Sequence, residues 1–229
     1  MIGKIITVLN STRTILYRFI AKGAIHARIQ IGNDKFIDVF NTSLQDSFAP
    51  KLSEVDPIYL KRQKQIFQLR EFIASCLDSK QENAVILAGD FKVNARDQGS
   101  AAHSLEYRDL VSIVKGGKVD IDPIKESFSL ALDDVLFQRF KQHPVTFGDS
   151  GDAKMLSYGV EGKSRLVETF LTEKYYTGSN QSTVHLFLAN PAKPVLKLSE
   201  VTLNPFLVDS QEFTHLSDHY GLFATFSSN

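Results

Sequence analysis

The chain has a single cysteine, Cys76, in 229 residues. A disulfide framework and a zinc cluster held by thiolates are therefore excluded. Net charge is missing too, since 26 Lys and Arg residues balance 26 Asp and Glu residues. No overall field draws the chain to nucleic acid or to an anionic membrane, and no DNA or RNA partner is indicated. No apolar run approaches the roughly 18–20 residues that a spanning helix requires. Internal repeats, low-complexity tracts and the apolar stretch of a secretory signal are absent as well. What is present is an ordinary globular composition, 43% hydrophobic and 23% charged. That is ample for the core of a single domain over residues 1–229.

Acidic side chains are absent before Asp34, while Lys4, Arg13, Arg18, Lys22 and Arg28 lie among Ser, Thr and aliphatic residues. A leader of this composition over residues 1–22 is what mitochondrial import reads. The same residues also read as strands Ile5–Leu9 and Ile15–Ile20 around the turn-forming Asn10-Ser11-Thr12. The strand reading is preferred, and the expected compartment is intracellular, with mitochondria as the alternative.

Residues 25–31 alternate, with Ile25, Ala27, Ile29 and Ile31 set against His26, Arg28 and Gln30. This predicts a strand with one buried face. Gly32-Asn33-Asp34 supplies a hairpin turn into a second strand, Phe36–Asn41. Asp56-Pro57 reads as an N-cap with proline at the first helical position. Tyr59, Ile66, Leu69, Ile73 and Leu77 then recur at helical spacing, leaving Lys61, Arg62, Lys64 and Arg70 as a solvated basic face. Ala84–Ala88 is an unbroken aliphatic run, the pattern of a central strand covered on both sides. A helix from a Ser104 cap to Val114, ended by Gly116-Gly117, follows. A helical patch is expected near Leu130–Phe140, within an otherwise irregular 118–165. The last third reads as strands Arg165–Leu171, Val184–Leu188, Leu196–Leu203 and Tyr220–Phe226. Strands interleaved with helices in one chain indicate an α/β or α+β sandwich.

Three stretches end apolar strands in polar residues, the layout of an active site built on strand termini. They are Val39-Phe40-Asn41-Thr42-Ser43-Leu44-Gln45, Ile86-Leu87-Ala88-Gly89-Asp90-Phe91-Lys92-Val93-Asn94, and Leu216-Ser217-Asp218-His219-Tyr220-Gly221. In this order and spacing they resemble the endonuclease/exonuclease/phosphatase superfamily, and within it the neutral, magnesium-dependent sphingomyelinases. Lys22–Arg28, the pair Arg62-Gln63, Val145–Asp149 and Phe213–His219 support the narrower likeness. The resemblance runs over nearly the whole chain from about Ile5. It implies two mixed β-sheets packed face to face with helices outside, and a phosphodiester cleaved by water with Mg2+ and two histidines.

Carried over residue by residue, the resemblance implies that Asp218 and His219 are the orienting carboxylate and general base. It makes Asp90 a metal- and water-binding carboxylate, and Asn41 a brace of the site. Three positions depart from the family pattern. Ser43 stands where the family has histidine, Lys92 where it has asparagine, and Val184 where it has aspartate. The family's first strand and helix, with the metal-binding glutamate, find no counterpart. Mg2+ in such sites hangs on one or two carboxylates and substrate oxygens. An ammonium nearby costs on the order of 4 kcal/mol per unit of metal charge at about 4 Å and an effective dielectric near 20. Loss of a positioned acid–base histidine removes about 10²–10⁴-fold in rate.

The expectation is thus a catalytically degenerate member of this fold with a structural or assembly role, a subunit of a larger complex. A protein partner is expected to cover the sheet edge that the missing first strand exposes. No cofactor is expected; if a metal is held, Asp90 and Asp218 are its ligands. The alternative is an active Mg2+-dependent phosphodiesterase of sphingomyelinase type, with Asp149, Asp152 or Asn94 as substitute ligands. A second alternative is a metal-independent module for phosphate or a lipid head group, contacted by Lys92. Elsewhere, His103 and His143 read as surface residues, His26 as part of a polar strand face, and His185 as a core histidine. His215 reads as a loop residue, Cys76 as a small core residue, and Lys115–Lys118 as a helix terminator. Gly148–Asp152 fits the superfamily likeness better than a serine-nucleophile loop.

Overall fold

Among the residues described by a computed structural model, ten strands and three helices are arranged around two apolar clusters. The structure describes residues 2–6, 22–32, 35–47, 54, 56–77, 82–97, 103–116, 129–148, 180–204, 206 and 219–228. Strand β1 is Ile2–Ile6, β2 Ala24–Gly32 and β3 Lys35–Ser43. Helix α1 (Pro57–Cys76), strand β4 (Ala84–Asp90) and helix α2 (Leu105–Lys115) follow. Next come β5 (Asp133–Asp134), α3 (Val135–Phe140), β6 (Phe147–Gly148) and β7 (Asn180–Gln181). The chain closes with β8 (Val184–Ala189), β9 (Leu196–Asn204) and β10 (Gly221–Ser228).

Six strands form one mixed sheet in the order β1-β2-β3-β4-β8-β5, in which only the β3–β4 pair is parallel. Strand β4 explains why its sequence is unbroken aliphatic. Val85 and Leu87 face one cluster with Ile66, Leu69 and Ile73 of α1 and Leu110 and Ile113 of α2. Ala84 and Ile86 face the other cluster with Leu196 and Val201 of β9 and Leu222, Ala224 and Phe226 of β10. Strands β9 and β10 pair antiparallel as a second sheet on that face. The sandwich is the expected one, but among the described residues the second sheet is antiparallel and not mixed.

The helix ends follow their local signals. Asp56 Oδ1 accepts the Ile58 N–H at 2.8 Å, ahead of Pro57. Ser104 Oγ accepts from Tyr107 N at 3.1 Å, and Gly116 closes α2 at φ 96°. Leu130–Phe140 is helical only from Val135, because Asp134 caps the turn through Phe137 N.

Three expectations are corrected by burial. The solvated basic face of α1 does not hold, since Arg62 and Arg70 are buried. Helix α2 packs on α1 there, and Glu106 takes Arg62 in a fork at 2.6 and 2.8 Å. In β2 both faces are used. Ala24 and His26 are buried towards α1, with His26 stacked on Phe40 and 2.7 Å from Asp38. Ile25 is 52% exposed, at the end of the opposite face. His103 and His143 are not surface residues but an interior pair joined at 2.7 Å, with His143 buried. Cys76 is half-buried against the larger cluster. Arg165–Leu171, Ile15–Ile20, Gly117 and His215 lie outside the described residues. No helix among the described residues is long and apolar enough to cross a membrane.

Candidate functional site

Parallel pairing of β3 with β4 aligns their C-terminal ends. Asn41 lies opposite Ala88, and Ser43 opposite Asp90. Antiparallel pairing sets Val184, the first residue of β8, on the other side of Asp90. Residues directly opposite share a face, so Ser43, Asp90 and Val184 form one row at one end of the sheet. Gly89 permits this close pairing: it has φ 150°, and a Cβ there would lie 2.1 Å from the Thr42 carbonyl oxygen. Asn41 is exposed on the same face, one pair further back. Val184 brings no carboxylate, and its N–H donates to Thr146 Oγ1 at 3.0 Å.

After β4 the chain turns sharply. Lys92 N–H donates to Asp90 Oδ1 at 3.1 Å, and Lys92 takes φ 55°. This reversal folds the lysine back over Asp90, with Nζ 2.7 Å from Asp90 Oδ2. His219 arrives from the other side of the site. It bridges Phe147 of β6, its ring packs on Phe147 with centroids 4.6 Å apart, and Tyr220 N–H donates to the Thr146 carbonyl. Its Nε2 is 3.0 Å from Asp90 Oδ2 and 3.1 Å from Lys92 Nζ. Asp46, just past β3, brings a second carboxylate 3.3 Å from the same ammonium. Lys22 Nζ donates to Ser43 Oγ at 3.4 Å.

Burial opposes ionisation of Asp90, yet the His219 hydrogen bond and the Lys92 charge hold its carboxyl far below the usual carboxylate range. Burial likewise disfavours the Lys92 cation, and Asp90 and then Asp46 outweigh it, raising that amine above its ordinary value. The group is therefore a fixed cation. An ammonium has three hydrogens, and here Asp90, Asp46 and His219 each face one. Asp90 and Asp46 take two of them, and the third is open to a phosphate where His219 Nε2 donates to Asp90 and does not accept from Lys92. His219 Nε2 either accepts from Lys92 or donates to Asp90; in both states this nitrogen is engaged.

Among the described residues, the groups at this strand end do not fit Mg2+. An ion bound to Asp90 would have to approach a fully charged ammonium already 2.7 Å from that carboxylate. At an effective dielectric near 20 and about 4 Å this repulsion is about 8 kcal/mol for a divalent ion. Asn94, a conceivable substitute ligand, spends its Oδ1 on the N–H groups of Arg96 and Ser182 at 3.2 and 2.9 Å. Asp218, Asp149 and Asp152 lie outside the described residues.

Asp46 and Lys22 were not singled out from sequence. Asp46 carries a signal in hindsight, as the first carboxylate after the strand that ends in Ser43. His103, His143 and His185 form a separate interior group. There His143 Nδ1 lacks a hydrogen bond, 3.9 Å from Asp134, and His185 Nε2 donates to the Val93 carbonyl at 2.9 Å.

Fold and strand-end site together define the class: the chain has the endonuclease/exonuclease/phosphatase fold. It is 25% identical over 257 aligned positions to a sphingomyelinase of Dictyostelium discoideum, an alignment covering 88% of this chain and 54% of that protein. The chain thus spans about half the length of that curated relative. Among solved structures it is similar to TDP2 of D. rerio complexed with a single-strand DNA product. The TM-score is 0.57 at 17% identity, over 99% of this chain and 67% of that one. It is also similar to beta toxin of Staphylococcus aureus, with TM-score 0.51 and 18% identity over 89% of this chain and 57% of that one. No model of a known protein family matches.

Proposed function

We propose that this chain is a phosphodiesterase-fold protein that assembles with a protein partner and does not hydrolyse phosphodiesters. The observation that carries the reading is the Lys92 ammonium, held between Asp90, Asp46 and His219 where the fold's chemistry needs a cation and a free imidazole. Residues that act as a unit in catalysis fail together. Ser43 and Val184 add to the loss, since neither supplies an imidazole or a carboxylate.

The assembly part of the reading is supported by the second sheet. Among the described residues β10 is paired only on its β9 side. Its sequence, Gly221-Leu222-Phe223-Ala224-Thr225-Phe226-Ser227-Ser228, has no charged side chain and no proline, whereas β9 carries Lys197 and Glu200. Uncharged edges of this kind pair readily with another strand.

Titration of Mg2+ against a chromogenic phosphodiester and against sphingomyelin tests the first part. The expected outcome is no metal-dependent turnover; turnover that disappears in His219→Ala would overturn it. Sedimentation of the purified chain tests the second, with self-association or capture by another protein strand expected. A stable monomer with one cooperative unfolding transition would remove the partner.

A further inference from the structure

The outer side of α2 faces a cavity of about 320 Å3 beside β5 and α3, at the opposite edge of the six-stranded sheet from β1. That volume is at the lower end of the roughly 300–1,000 Å3 of small-molecule sites. The lining is apolar at the back, where Leu132 and Phe187 are buried. Three more rings join it. His103 lies 5.2 Å from Tyr107 and 4.7 Å from Phe137 between centroids. The mouth is charged. Arg108 and Lys115 line the cavity from α2 and Asp133 from β5, all three exposed. Among the described residues none of these three side chains makes an ion pair or a hydrogen bond. The fourth charged group, Asp134, is already engaged, since it caps α3 through Phe137 N and accepts the Tyr107 hydroxyl hydrogen. Arg108, Val111 and Lys115 fall at i, i+3 and i+7, so one face of α2 sets two cations around an apolar residue.

We propose that this cavity binds a small aromatic carboxylate, at a site separate from the Asp90 end of the sheet. Two unpaired cations against one unpaired carboxylate leave the mouth with an excess of one positive charge, which selects an anion over a cation. Arg108 selects the form of that anion, because a guanidinium offers two parallel N–H groups to the two oxygens of a carboxylate. Asp133 fixes the orientation. A carboxylate turned toward β5 would meet it, so the ligand's charged end points to α2 and its ring to the apolar back. There the lining rings offer edges and faces for aromatic packing, and Leu132 and Val111 supply aliphatic surface. His103 Nδ1 is tied to His143 at 2.7 Å, while its Nε2 has no partner among the described residues and is left for a polar ring substituent.

The probe is 2-naphthoate, titrated into the full chain by calorimetry beside its neutral analogue 2-naphthalenemethanol, with the imidazole proton signals followed by NMR. The expected result is saturable one-to-one binding of naphthoate, at least about tenfold tighter than that of the alcohol, as charge-assisted hydrogen bonds imply. The His103 signals should shift, and those of His26, stacked on Phe40 in β3, should not. Arg108→Gln with Lys115→Gln should weaken naphthoate at least about tenfold and leave the alcohol unchanged. Both side chains are exposed, so this variant is expected to fold, which circular dichroism verifies. Val111→Trp fills the cavity and should abolish binding of both compounds; if it is unfolded, the paired glutamine variant and the His103 signals still decide. Absence of saturable binding to wild type at millimolar naphthoate would overturn the proposal. Equal affinity for acid and alcohol, or naphthoate binding untouched by the paired glutamines, would overturn it too. No residue of the Asp90 end is altered, so each of these outcomes leaves the proposed function standing.

Discussion

Gly89 and Lys92 bracket Asp90, and both have positive φ. They do opposite things. Gly89 lets the β4 backbone run against the Thr42 carbonyl, where a Cβ would meet oxygen at 2.1 Å. That oxygen belongs to backbone inside the sheet and has no room to yield. Gly89→Ala should therefore cost at least about 3 kcal/mol of stability, measured by urea unfolding, because steric overlap adds to the strain of a left-handed conformation. Lys92 accepts the strained conformation and places a charge that pairs with two carboxylates. Its identity is visible in the sequence as a departure from the family pattern. The direction of its side chain is not, since that depends on a turn and on Asp46, distant in the chain.

Helices α2 and α3 and strand β8 share an interior whose polar centre is histidine. Tyr107 donates its hydroxyl hydrogen to Asp134, His103 pairs with His143, and Arg96 donates to the His143 carbonyl. Burial, helped by the nearby His185, His103 and Arg96 and opposed by Asp134, pushes the His143 imidazole down from 6.5 to about 4. A folded value below the unfolded one means that the unfolded chain binds the extra proton first. Stability from this group is complete above pH 6.5 and is lost as pH falls toward about 4. The loss over that window amounts to about 3 kcal/mol. Urea unfolding across that interval should show it, and His143→Phe should flatten the curve. Some slope will remain, because burial also lowers His185. At this level the caps at Asp56 and Ser104 and the aliphatic β4 were legible, since each depends on neighbours a few residues away. His185 in β8 was legible as a core histidine, whereas His103 and His143 were missed because they lie in loop-like sequence, and only packing of separate elements encloses them.

In the whole molecule, α1 and α2 cover one face of the six-stranded sheet and β9–β10 cover part of the other. Among the described residues, Ile25 on β2 and Phe223 on the outer side of β10 are each 52% exposed. Phe206 touches Phe223 only edge-on, at 6.3 Å between centroids. Phe223→Lys should leave the fold within about 0.5 kcal/mol of wild type, as surface substitutions commonly do. It should also weaken edge association, because lysine on an edge strand blocks pairing. Sedimentation is the measure, and unchanged association would place the contact elsewhere.

Local chemistry was enough to read the helix caps, the aliphatic β4, the glycine stop after α2 and the polar ends of β3 and β4. Those features involve residues close in the chain, so composition and spacing carry them. Three-dimensional packing alone settled which charges are buried and which polar atoms meet. Arg62 finds Glu106 across two helices, and Lys92 meets Asp46 and His219 across two loops. Pairing energies of this kind depend on distance and dielectric in space, neither of which a linear order of residues encodes.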